Sequence, residues 1–332
     1  MTAASATQGN RLFGGLRRVL GTQEGILALL LIVLIIGVGL YNPRFLNERN
    51  LTDVFNANAY IAVAAIGISM IIITGNIDIS VGAAIGVLVS LSGTIAEVGA
   101  EAGLPTPIVL LAAWIAPLFG GMLLSGINGF FVAYLKIPAI VVTLGTFSIL
   151  KGGLILVAGG STISALPDGY SLAQQDFLAI PIPVWIMAML TIVAFAWMRW
   201  SRTGRSQYAI GGNAEAARLS GIDTRRQLMV TFIVAGVFYG IAAVMFATQY
   251  NTLQTVVTPG LELQVITASV VGGLSILGGI GTVIGSTLAA ILIRTIGAAL
   301  VFVDISPFWL KAILGVLILV TVLADVLRRR RQ

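Results

Sequence analysis

Long apolar runs, each near the length of a membrane crossing and each closed by a short polar interval, recur from residue 25 almost to the C-terminus. They fall at residues 25–40, 60–75, 81–95, 108–134, 139–158, 184–197, 228–248, 261–277, 281–303 and 308–327. A helix that crosses a bilayer needs roughly twenty apolar residues, so the pattern predicts about ten spans. The expected fold class is therefore all-α, a polytopic membrane helical bundle. It divides into an N-terminal tail (residues 1–24), one transmembrane domain (25–327) and a basic tail (328–332). The first run follows Arg11, Arg17 and Arg18 and shows no cleavage signature, which predicts an uncleaved first helix.

One polar stretch breaks this pattern. Residues 199–227 read RWSRTGRSQYAIGGNAEAARLSGIDTRRQ, with six arginines against Glu215 and Asp223. Short basic loops stay on the cytoplasmic side, so this loop is expected there. A short helix is legible within it. Asn213 can cap its N-terminus, Glu215 sits in the first turn where the helix dipole favours an anion, Ala214, Ala216, Ala217 and Leu219 are good formers, and Gly221 suits the position just past the end.

Charge supports the same threading. With a cytoplasmic N-terminus, the loop arginines fall inside with Arg11, Arg17, Arg18, Lys136 and the four arginines of residues 328–331, fourteen of the nineteen cations. Arg44 and Arg49 fall outside, where Glu48, Asp53, Glu97, Glu101, Asp168, Asp176, Glu262 and Asp304 also gather. Both termini are then cytoplasmic. Composition agrees: 58% of the 332 residues are hydrophobic and 10% charged, and the mean hydropathy is +1.01, values a wetted globular surface cannot reach. There is no cysteine and no histidine, so disulfides and the common zinc, haem and iron–sulfur ligands are missing. The net charge of +6 is explained by orientation, and no nucleic-acid partner is expected.

Three features inside the apolar runs are unusual. The first is the polar knot TGNIDISVG at residues 74–82. A carboxylate at bilayer depth costs roughly 2.5–3.5 kcal/mol, so Asp78 must face protein, water or backbone donors. Either Asp78 and Ser80 cap the next helix, or Asp78 meets a transported solute, and a broken helix lining a cavity permits both. The second is KIPAIVVTLGT at residues 136–146, where Thr143 and Thr146 lie one helical turn apart. Their hydroxyls can serve a sugar or bond back to their own helix carbonyls. Lys151, further along, can snorkel outward. The third is the small-residue run VVGGLSILGGIGTVIGS at residues 270–286, which suits close packing of two spans joined by a short turn. It lacks the Gly-Lys-Ser/Thr ending of a phosphate loop. Arg294 lies well inside the next span and needs a partner.

These features, in this order, resemble those of the permease subunits of ABC importers for monosaccharides, including ribose, related pentoses, methylpentoses and the sugar-like signal autoinducer 2. The shared segments are TGNIDISVG, LKIPAIVVTLGT, GRSQYAIGGNAEAARLSGI and VVGGLSILGGIGTVIGS, and the likeness covers about residues 41–325. LKIPAI with LPDGY and TPGLEL is similar to one autoinducer-2 permease type. The resemblance implies a pair of permeases, identical or paralogous, two cytoplasmic ATPase subunits, a periplasmic sugar-binding protein and a place in the bacterial inner membrane. It implies no catalytic residue, metal or cofactor on this chain, with ATP and magnesium held by the partner ATPase. It also places the coupling helix at residues 212–221, with Gly212, Asn213, Glu215, Ala216, Ala217, Arg218 and Gly221 as contacts. Asn76, Asp78, Thr143 and Thr146 are the substrate-path candidates, and Asn76 stands where family members often carry glycine.

Two other functions remain open at this stage. An ion-coupled secondary sugar transporter needs mid-membrane titratable groups, for which Asp78, Lys151 and Arg294 are the candidates. A membrane enzyme has no histidine base, thiol or paired intramembrane carboxylates to draw on.

Overall fold

The computed structural model describes residues 22–159, 162–164, 166–171, 175–250, 252–254 and 260–329. Arg11, Arg17 and Arg18, most of the tail 1–24, Thr258 and Pro259, and the last residues of the basic tail lie outside these. The elements in order are α1 (Gln23–Tyr41), α2 (Glu48–Asn56), α3 (Ala59–Ile73), α4 (Val81–Glu101), α5 (Thr106–Ala133) and α6 (Ala139–Ala158), then α7 (Ile182–Trp200), α8 (Arg202–Gly212), α9 (Ala214–Leu219), α10 (Thr224–Ala247), α11 (Leu261–Val271), α12 (Val283–Phe302) and α13 (Trp309–Arg329). Two antiparallel pairs of two-residue strands tie the loops at one end: β1 (Thr162–Ile163) with β4 (Leu253–Gln254), and β2 (Asp176–Phe177) with β3 (Ile180–Pro181).

Among the described residues nine helices are long and apolar enough to span a membrane, one of them formed by α2 and α3 together. The segment expected to span at 261–277 differs. Its helix stops after eleven residues at Val271, because Gly272 caps it and Gly273, Gly278, Gly279 and Gly281 all take positive φ, which glycine adopts freely. Eleven residues rise only about 16 Å, half a bilayer core. The small-residue run is thus a half-helix, a glycine-built turn and the start of α12.

The centre of the bundle is α3, whose fifteen residues are all buried. That fits its composition, apolar on every face. Its serine is met by other serines: Ser69 Oγ donates to Ser286 Oγ of α12 at 2.7 Å and lies 3.3 Å from Ser269 Oγ of α11. On the other side α5 and α10 pack backbone to backbone. A methyl at Gly236 would overlap the Gly121 carbonyl, and one at Gly240 would stand 2.5 Å from Pro117 O. Small residues at such crossings replace the hydrophobic force that lipid cannot supply. By contrast α6 and α13 are almost wholly unburied along their apolar stretches.

The backbone contacts generate a test of opposite signs. Gly236→Ala should cost about 1–3 kcal/mol by overpacking, whereas Gly152→Ala, on the open face of α6 with nothing within 4 Å, should stabilise by up to about 1 kcal/mol. Thermal unfolding of the two variants in detergent reads the difference; equal shifts would contradict the packing described.

Candidate functional site

After Ile73 the chain makes a tight turn through Thr74 and Gly75 (φ +79°), is irregular over residues 76–78, turns again at Ile79 and Ser80 and re-enters helix at Val81. Asp78 is wholly buried. Its Oδ1 accepts from Ser80 N at 2.9 Å and from Ser80 Oγ at 2.5 Å, and Tyr239 OH donates to Oδ2 at 3.4 Å. The carboxylate thus closes a turn onto Ser80, the N-cap residue of α4, but neither side chain caps the helix: Ser80 makes no side-chain capping bond and Asp78 accepts from Ser80 rather than from an amide of α4. Asn128 Nδ2 donates to Ser80 Oγ at 2.9 Å, and Thr146 Oγ1 donates to Asn128 Oδ1 at 2.6 Å. Thr143 Oγ1 accepts from Ile79 N at 3.1 Å and donates to Ile77 O at 3.3 Å. Asn76 Nδ2 donates to Thr74 Oγ1 at 3.1 Å.

Asp78, Thr143 and Thr146 thus join one network that crosses elements, the threonines bound to the knot and to α5 rather than to their own helix carbonyls, whereas Asn76 bonds only to Thr74 two residues away. They are not equally reachable. Asp78 and Thr143 have no exposed surface, while Asn76 and Thr146 are half-buried. Asn128 and Tyr239 were not singled out from the sequence. Asn128 left a trace as the one amide in the apolar run of α5; Tyr239 left none, since a tyrosine among apolar residues reads as core.

Glu262 also moves. Expected in an outer loop, it sits in the first turn of α11 and lies against Gly82 in the first turn of α4, where a methyl would stand 2.9 Å from Glu262 N. Its Oε2 is buried with no hydrogen-bond partner among the described residues. Arg294 finds its partner in Asn58, whose Oδ1 accepts from Nε at 2.6 Å.

The polar loop forms two helices rather than one. α8 was missing from the sequence reading, because its buried positions, Gly204, Gln207 and Ile210, form too narrow an apolar stripe to register. It is held by Gln207 Nε2 donating to Thr231 Oγ1 at 2.8 Å and by Tyr208 OH donating to Gly281 O at 2.8 Å. At its end Gly211 sits against Ile73 O and Gly279 N, which are themselves hydrogen-bonded at 2.9 Å. A methyl at Gly278 would stand 2.7 Å from Gly75 N and 3.0 Å from Gly211 Cα. The end of α8, the half-helix turn and the first turn of the knot therefore touch through glycines.

α9 forms as the sequence predicted. Asn213 Oδ1 accepts from Glu215 N at 3.1 Å and Ala216 N at 3.0 Å. At the other end Gly221 (φ +85°) donates to Arg218 O and Ile222 N donates to Ala217 O, the paired bonds of a glycine C-cap. Glu215 and Arg218 form a two-pronged pair at 3.1 and 2.5 Å, and the Arg218 guanidinium holds the Glu215 carboxyl below its ordinary range. Ala217 faces inward, while Leu219 is 75% exposed beside the ion pair. The helix thus offers an apolar knob within a charged rim.

The knot yields a prediction. Thr143→Val keeps the shape but leaves the Ile79 N–H without its acceptor, an expected cost of about 1–3 kcal/mol. Thr143→Ser should recover most of it, and melting temperatures of the two variants give the answer; equal stability would remove Thr143 from the network.

Residues 50–322 match the family described as the branched-chain amino acid transport system permease component. The chain is 33% identical over 311 residues to the autoinducer 2 import system permease protein LsrC of Salmonella typhi, covering 93% of this chain and 87% of that one. It is 32% identical over 311 residues to the protein of the same name from Yersinia pseudotuberculosis serotype O:1b, covering 93% and 86%. No solved structure matches it at a comparable level. A bundle of spans without nucleotide motifs, a capped helix projecting from its polar loop and these likenesses agree: the chain belongs to this permease family and is the multi-pass, non-catalytic transport subunit of an ABC importer.

Proposed function

We propose that this subunit carries a monosaccharide or a sugar-like molecule of the autoinducer-2 kind inward across the bacterial inner membrane, and that α9 is the handle through which a separate ATPase drives it. The observation that carries this reading is the glycine contact of Gly211 with Ile73 and Gly279. A rigid element between handle and knot lets a displacement at one reach the other, because packed interfaces shift between discrete arrangements rather than deform smoothly. The ion-coupled alternative loses its ground with family membership.

The orientation follows from what shares the handle's end of the bundle. Gln23 at the start of α1 donates to Val271 O, Thr282 donates to Glu24, Ser275 donates to Asp325 near the end of α13, and the charge of Lys136 acts on Glu215. This end is assigned to the cytoplasm on its basic loop, which brings both termini inside. The opposite end, with Glu97, Asp168 and Asp176, is the surface offered to a periplasmic binding protein. A second permease, identical or paralogous, completes the pathway. Within the chain, Asn76 and Thr146 are the candidates to touch solute, with Asp78 and Thr143 holding them in place. ATP and magnesium reside on the partner.

Two outcomes are expected. Reconstituted with its ATPase, partner permease and binding protein, the chain should support ATP-dependent uptake from a panel of pentoses, methylpentoses and autoinducer 2, with none when the ATPase is omitted; uptake driven by an ion gradient alone would overturn the reading. Reversing Glu215 to Lys or Arg218 to Glu should weaken co-purification with the ATPase while membrane insertion is unchanged. Undiminished co-purification would move the handle elsewhere.

A further inference from the structure

The end of the bundle that bears the handle also bears cations that the fold leaves unneutralised. Arg199, Arg202, Arg205, Arg225 and Arg226 form no salt bridge among the described residues, where Arg218–Glu215 is the pair that does. Two of the five differ from the rest in what surrounds them. Arg199 and Arg205 border a cavity of about 290 Å³ between the last turn of α7, the start of α8 and the first turn of α12. Phe195, Met198 and Val283 give it an apolar wall. Arg205 Nη1 donates to Trp200 O at 2.7 Å, which orients the guanidinium and leaves most of its five donors free. Tyr208 OH is committed to Gly281 O, and Thr282 Oγ1 donates to Glu24 Oε1 at 2.7 Å, which leaves one carboxylate charge near the two guanidinium groups. Trp200 beside the cavity is 68% exposed, as expected of an aromatic at the membrane–water boundary.

Two guanidinium groups above an apolar wall, at the depth where a spanning helix leaves the bilayer, suit one class of ligand. We propose that this cavity binds the phosphodiester of an anionic phospholipid from the leaflet that borders the handle, with Arg199 and Arg205 on the phosphate and the lipid's apolar part against Phe195 and Met198. Guanidinium forks match phosphate geometry, and basic pockets between spanning helices on the cytoplasmic side hold acidic headgroups. A free phosphate would use the arginines and leave the wall wet. The bound lipid would anchor the base of α8, which is already folded tightly onto α7: a methyl at Gly204 would stand 2.5 Å from Met198 Cα. Since α8 ends at the Gly211 contact and leads directly into α9, the lipid steadies the root of the handle. Only the choice of leaflet rests on the orientation proposed above.

The test is native mass spectrometry of the full-length chain in detergent, titrated with phosphatidylglycerol, phosphatidylcholine or inorganic phosphate. Phosphatidylglycerol should be retained about 20- to 30-fold better than phosphatidylcholine, the combined effect of two basic side chains at a membrane surface, and excess inorganic phosphate should not displace it. Arg199→Gln with Arg205→Gln should abolish the preference, Arg199→Lys with Arg205→Lys should keep part of it, and Arg225→Gln with Arg226→Gln, an equal loss of charge outside the cavity, should leave it intact. Equal retention of the two lipids by the wild-type chain, displacement by inorganic phosphate, or equal loss in the outside variant would each overturn the proposal. The readout needs neither ATPase nor solute, so it stands apart from the transport assignment.

Discussion

A helix broken inside a bilayer leaves amides and carbonyls that no water can reach, and each must find a partner in the protein. The knot at residues 74–80 is this problem and its solution. Asp78 takes the Ser80 amide, Thr143 of α6 takes the Ile79 amide and returns a hydrogen bond to the Ile77 carbonyl, and Asn128 extends the chain of donors to α5, where Thr146 of α6 meets it. The arrangement draws on α5, α6 and α10, so it can persist only if those helices keep their mutual register.

Glycine lets the rest of the molecule reach this point. Gly211, Gly278 and Gly75 bring three backbones together with no side chain between them, and Gly121 and Gly236 do the same for the two helices that flank the knot. Direct backbone contact is stiff, because it has no rotamers to absorb a displacement. A path from α9 through α8 to the turn before Asp78 is accordingly short and mechanically simple, whereas a leucine-lined interface would blunt it.

Most of the spans were legible in the sequence because membrane burial needs only local composition, and α9 was legible because its caps, Asn213 and Gly221, are local too. The half-helix was not, since 261–277 is apolar throughout and hydropathy does not register where glycine stops the hydrogen-bond ladder. α8 was missed for a related reason: its burial rests on three small contacts rather than an apolar face. In the site, Asp78, Thr143 and Thr146 stood out as polar residues in apolar surroundings, but their mutual contact spans up to 66 residues of sequence, and nothing local encodes it. Tyr239 shows the limit most plainly, since only the arrival of Asp78 distinguishes its hydroxyl from those of core tyrosines.

The buried charges bear on where the energy for transport comes from. An ion-coupled carrier needs an ionisable group that meets water alternately on two sides, and a group fully spent on structure cannot serve. Asp78 has both oxygens engaged and no exposed surface. Arg294 donates to Asn58, which in turn donates to the Val54 carbonyl at the end of α2, so its charge is tied to the join between α2 and α3. Lys151 lies 5.1 Å from the centre of the Phe147 ring, one turn away on the same helix, an arrangement that steadies a snorkelling cation. Each of the three is accounted for by its immediate surroundings. These three charges thus serve the architecture, as suits the subunit of an importer driven from outside, and the exposed, capped and ion-paired α9 is where we propose that the push arrives.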